Sequence, residues 1–183
     1  ASRNEMKSNT GEGRQALQQA RLLGVAGKVD EAIAAYEKLF GGVPDDVDAA
    51  IEYWTLVARL PARHSEGVSQ LKKLNASAPG NVSLLTALAK QMFADNKPQE
   101  GFAYLAEMAR SASGRGIAAD MWYSEVKSMP VSKASVQALQ QFLLQFPTGS
   151  VAANARVLLD QQQAQLQDPT FRARSEGLAA VKS

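Results

Sequence analysis

The residues of this sequence that could do chemistry are few, and their spacing decides what they can do. His64 is the only histidine and cysteine is absent. No second histidine or thiolate is available to complete a metal set, and disulfide and thiol chemistry are excluded, while the compartment is left open. Within "PARHSE" (61–66) His64 reads as a solvated turn residue. Asp45 and Asp46 form a carboxylate pair, but in an exposed connection that lacks the burial needed to tune an acid or base. "GVAGKV" (24–29) lacks the leading glycine and the Ser/Thr of a phosphate-cradling loop. Trp54 and Trp122 could each offer a platform to a sugar ring, but they recur at the same place in a repeating pattern, which assigns them to a core. Asn75 and Asn81 open N-x-S sequons that matter only in a glycosylating host. No acid/base, nucleophile, metal or cofactor constellation emerges, and the expected activity is binding rather than catalysis.

Charge narrows the kind of binding. Lysine and arginine number 20 against 18 acidic residues, a net charge of +2, with a sequence pI near 8.9. That is too balanced for a nucleic-acid partner or an anionic membrane surface. No apolar run is long enough to span a bilayer. With 183 residues, 45% of them hydrophobic, the chain can bury a sizeable core. It opens "ASRNEMKSNT", without a start Met or an apolar leader, and reads as a piece of a longer or processed protein.

The elements that carry these residues follow from an internal period. Small residues recur at Ala32, Gly67, Gly101 and Ser135, at intervals of 35, 34 and 34 residues. Four positions after each stands a large apolar residue: Tyr36, Leu71, Leu105 and Leu139. Three further on come Leu39, Leu74, Met108 and Phe142, and Pro44, Pro79 and Pro147 close three of the units, with Ser113 at the fourth place. Spacings of four and seven put these side chains on one helix face, the small residue admits a neighbouring helix, and proline ends the run. "GK" at 27–28, "LPAR" at 60–63, "DNKP" at 95–98 and "SMPVSKAS" at 128–135 read as the turns between paired helices, with Ser132 as an N-cap. The predicted pairs are 13–26/30–41, 47–59/64–76, 81–94/98–111 and 116–128/132–146. Ala20, Ala32, Tyr36, Trp54, Leu71, Ala89, Leu105, Trp122 and Leu139 are expected inside.

Units beginning at 13, 48, 82 and 116 resemble the tetratricopeptide repeat, a helix–turn–helix unit of 34 residues. The resemblance implies an all-α, right-handed superhelical solenoid. The expected organisation is a tail at 1–12 and four repeats at 13–47, 48–81, 82–115 and 116–149. An unpaired helix follows at 150–168, acting as a hinge because a lone helix cannot reproduce the interface of a complete pair. Residues 169–183 begin a further repeat. In that family an inner concave surface comes from fixed unit positions, which here carry Arg14, Leu17, Arg21, Glu52, Leu56, Arg59, Thr86, Lys90, Phe93, Asp120, Ser124 and Lys127. Chaperone-type members clamp a terminal carboxylate with a Lys/Asn pattern, and Leu17/Arg21 and Glu52/Leu56 stand at those sites instead. Departures are Tyr123 at a small-residue position and Ser113 in place of proline.

More specific stretches, "GRQALQQARL" (13–22), "EYWTLVARLPAR" (52–63), "LNASAPGN" (74–81), "MPVSKASVQAL" (129–139) and "DPTFRARSEGLAAV" (168–181), closely resemble the periplasmic repeat region of the bacterial cellulose synthase C-subunit family. That resemblance implies a non-catalytic periplasmic scaffold, a fragment of an outer-membrane protein, linking an inner-membrane synthase to an outer-membrane export pore. Implied partners are protein components of the synthase complex, with glucan or peptidoglycan as further candidates. A cytoplasmic peptide-binding adaptor is the competing reading, and the missing clamp counts against it. An enzyme acting on the glucan would need two carboxylates facing each other across a cleft.

Overall fold

A computed structural model of the protein describes residues 10–182, and residues 1–9 of the expected tail at 1–12 lie outside the described residues. The described chain is all-helical, without strands: α1 (Gly11–Val25), α2 (Val29–Phe40), α3 (Val47–Ala58), a 3-10 turn at Pro61–Arg63, α4 (His64–Ser77), α5 (Val82–Ala94), α6 (Pro98–Met108), α7 (Ala112–Ser128), α8 (Lys133–Gln145), α9 (Ser150–Gln167) and α10 (Pro169–Lys182). This is the all-α repeat class that the period predicts.

Short polar residues set the helix starts. Thr10, Asp46, Asn81 and Ser111 each accept a hydrogen bond from a backbone N–H three residues on, satisfying a donor that the first turn leaves free. Ser132 goes further. It caps α8 in a reciprocal capping box with Ser135. Helix ends use left-handed backbone: Gly41 (φ 73°) closes α2, and Asn96 (φ 58°) turns the chain from α5 to α6.

One difference from the expected spans has a plain cause. The period places the start of α7 at 116, but the helix begins at Ala112, because Ser111 supplies a cap and Ser113, unlike proline, leaves Ala112 free to take helical backbone. The helix gains a turn at its front.

The chain divides inside α6 into two compact units, one reaching to Gly101 and one beginning at Phe102. In the first unit α1 pairs with α2 and α3 with α4, while α2 lies against α3 and both α3 and α4 against α5. The contact points are small: Gly67 of α4 lies directly on the Ala58 backbone. Two reciprocal bonds join α2 to α3. Tyr36 donates to Glu52 (2.5 Å), and Tyr53 donates to Glu37 (2.8 Å). In the second unit α7 pairs with α8, and α9 lies against α8, α7 and α10. Trp122 meets Phe102, Phe142 and Phe146 there, and its indole N–H donates to the buried Ala138 carbonyl at 3.0 Å. All nine residues expected in the core are buried, which settles both tryptophans as packing residues.

Candidate functional site

The residues expected on the inner surface divide between the two units. In the first, α1 brings Arg21 over α3, where its guanidinium makes an ion pair with Glu52 at 3.0 Å. Glu52 lies between this arginine and the Tyr36 hydroxyl. Hydrogen bonding to the Glu52 carboxylate raises the Arg21 pKa above its ordinary value. Burial first, and the Glu52 carboxylate second, push the Tyr36 hydroxyl well up, so Tyr36 stays a donor. The ion pair is half exposed on the arginine side and contributes only about 0–1 kcal/mol to stability. Its consequence is orientation.

Arg59, which caps the end of α3, donates through Nη1 to the Gly24 carbonyl at the end of α1, at 3.0 Å. Between these two arginines lies a depression of about 480 Å³. Ala20, Gly24, Ile51 and Leu56 form its floor, and Val25, 88% exposed, stands at its edge. An apolar floor with cations already fixed at the rim is a place where a partner side chain can lose water without ordering the rim first.

Other predicted positions behave differently. Arg14 is exposed on α1, and Leu17 is half-buried. On α5, Lys90 is exposed, Thr86 donates back to its own helix at the Val82 carbonyl (2.7 Å), and Phe93 lies against Gly101 of α6. Phe93 is therefore an interhelical packing residue as much as a surface one. In the second unit Asp120, Ser124 and Lys127 lie on one face of α7, and the Lys127 ammonium sits 4.9 Å from the centre of the Tyr123 ring. Tyr123, the bulky departure from the small-residue position, is half-buried and also touches Phe142.

His64 corrects the expectation of a merely solvated turn residue. It opens α4, its Nδ1 lies 2.6 Å from the Ala58 carbonyl oxygen, and its Nε2 lies 3.0 Å from an Asp95 carboxylate oxygen. Neither partner can donate, so both bonds form together only when the ring carries both protons. The Ala58 carbonyl first, and Asp95 next, raise its pKa. The sequence alone does not reveal this, because Asp95 lies 31 residues away.

Nor does it reveal the Tyr36 hydroxyl as part of the Arg21–Glu52 group. The available signal is that a buried tyrosine needs a partner for its O–H. Among the described residues no cluster of three or more His, Asp or Glu could hold a metal, and no helix is long and apolar enough to cross a membrane.

No protein-family model matches the chain. It is 51% identical over all 183 residues to cellulose synthase operon protein C of Salmonella typhimurium, and 51% identical over the same length to the protein of that name from Escherichia coli. A counterpart from Xanthomonas axonopodis is 29% identical over 163 residues. The chain spans 16% of the length of each of the first two. Among solved structures, a crystal structure of the flexible tandem repeat domain of the bacterial cellulose synthase C-subunit matches with a TM-score of 0.71 and 50% identity, over 90% of this chain and 68% of that one. Helical hairpins at a 34-residue period, joined to that identity across two thirds of a solved domain, place the chain in the family of tandem-repeat domains of bacterial cellulose synthase C-subunits.

Proposed function

We propose that this chain is a non-catalytic binding module of a cellulose synthesis and export machinery. It works in the periplasm, where it holds protein components between an inner-membrane synthase and an outer-membrane pore. The observation that carries this reading is the depression between α1 and α3, an apolar floor whose rim cations are oriented by Glu52 and by the Gly24 carbonyl. Such a surface recognises a partner by shape and charge, and its one carboxylate, Glu52, is taken up by Arg21 and the Tyr36 hydroxyl.

Arg21 and Arg59 hold the helices together as well as facing outward, so their reversal disturbs both roles. Val25, 88% exposed at the edge of the depression, tests the surface more cleanly. In pull-downs against the synthase components, the cellulose-degrading glucanase and soluble cello-oligosaccharides, wild-type protein should retain a protein component. Val25→Glu sets an anion beside the apolar floor and the fixed cations, and should weaken that capture by about tenfold, or about 1.4 kcal/mol, with the helical circular dichroism unchanged. Capture of cello-oligosaccharides alone, or capture of the protein component unaffected by Val25→Glu, overturns the reading.

We also infer that α9 serves as a joint between the preceding hairpins and the helices that follow. The side chains it buries are Ala152, Ala155 and Gln162, two small and one polar, and such an interface resists sliding weakly. A buried polar link holds it, the Ser135 hydroxyl donating to Gln162 at 2.7 Å. Because cysteine is absent, spin labels on Gln140→Cys and Arg172→Cys, in a protein extending past residue 183, report the distance across α9. A broad or double distance distribution is expected, and one narrow peak would show a static bend.

A further inference from the structure

A second groove lies apart from the α1–α3 depression, along the face of α4 that borders the α5–α6 turn. Its volume is about 560 Å³, and its wall runs from His64 at the start of α4 to Ala76 near the end. At 1.5 Å of rise per residue that is roughly 18 Å, the length of five or six residues of extended chain.

The groove is cationic by construction. Lys72, Lys73 and Lys97 line it. Lys72 reaches Glu100 only at 3.7 Å, with both side chains largely in water, and among the described residues neither Lys73 nor Lys97 has a carboxylate within ion-pair distance. The one carboxylate in the wall, Asp95, is already held at both oxygens, by His64 on one side and by the Gln91 amide on the other. Both of its oxygens are occupied by these neighbours, and Lys73 and Lys97 are left without a carboxylate partner among the described residues. The Ser69 hydroxyl lies exposed among them.

We propose that this groove binds an extended, acidic segment of a partner protein, Asp/Glu-rich and about six residues long where it makes contact. The cations are lysines spread along the groove, mobile point charges without the planar fork that selects one phosphate or carboxylate group bidentately. Spread ammonium groups match carboxylates that are spread likewise. The shallow, elongated shape fits an extended backbone better than a compact anion. This surface is independent of the inner face, so either reading can fail alone.

The test is fluorescence anisotropy with a fluorescein-labelled peptide of alternating Glu and Ser, compared with a Gln/Ser peptide of the same length and with inorganic phosphate as competitor. Saturable binding of the acidic peptide is expected, weakened about tenfold or more by Lys73→Glu combined with Lys97→Glu. Lys133→Glu with Arg172→Glu makes the same change of net charge elsewhere and should shift affinity by less than about twofold. All four side chains are exposed, and unchanged thermal melts confirm that each variant is folded. The proposal is overturned if both double variants weaken binding alike, which marks bulk attraction. It is equally overturned if the Gln/Ser peptide binds as well, or if phosphate displaces the acidic peptide at matched concentration.

Discussion

Gly67→Ala is expected to destabilise the first unit by at least about 2 kcal/mol, although glycine-to-alanine in a helix ordinarily gains up to about 1 kcal/mol. A methyl group at this position would lie 2.5 Å from the Ala58 backbone nitrogen and 2.7 Å from its Cα. These are atoms of a neighbouring helix backbone and cannot rotate away, so α4 must back off from α3 and lose contact along its length. Gly24→Ala is the matched comparison. There the added carbon meets only the Leu56 side chain, with Cδ2 nearest at 3.2 Å, a side-chain end that can swing, and stability should hold or rise slightly. Urea unfolding of the two variants gives the sign of each. Equal stabilities for Gly67→Ala and wild type would mean that the α3–α4 crossing is slack.

Trp122→Ala is expected to cost the second unit about 3–5 kcal/mol for the lost ring volume, with a further loss of about 1–3 kcal/mol because the buried Ala138 carbonyl loses its donor. The ring sits at the centre of an aromatic group, 5.0 Å from Phe102, 6.1 Å from Phe146 and 6.3 Å from Phe142 between centroids. A loss of that size approaches the whole stability of a domain, so near-ultraviolet circular dichroism from this unit should collapse before the first unit melts. Trp122→Phe keeps most of the volume and loses the hydrogen bond, and it should fall between alanine and wild type. If Trp122→Ala unfolds within about 1 kcal/mol of wild type, well under the usual cost of such a truncation, the aromatic group does not hold the unit together.

Much of this molecule can be read along the chain. The recurrence of Ala32, Gly67, Gly101 and Ser135, with large apolar residues four and seven positions later, is local information, and helices obey it because burial of one face and the 3.6-residue turn act on neighbouring residues. For that reason every predicted core residue is buried and Ser132 is the cap that its place in the turn predicts. The early start of α7 is the local exception, since proline at the other unit ends hides the fact that serine at position 113 permits helix.

What the chain does not show is the set of polar meetings across repeats. Arg21 finds Glu52 and His64 finds Asp95, each 31 residues away, and Tyr36 finds Glu52 16 residues away. These pairings depend on how far one helix is rotated against the next, a quantity set by contacts such as Gly67 on Ala58 and by no periodicity in a single helix. The same rotation decides that Phe93, counted as a surface residue by its place in the repeat, lies over Gly101, and that Lys73 and Lys97 border one groove. The helices, their caps and the buried face of each are legible along the chain, because those follow from local hydrogen bonding and side-chain spacing. Which of these cross-repeat charges are met and which face water depends on how the helices pack, because a hydrogen bond between repeats exists only where two distant backbones bring its partners within about 3 Å.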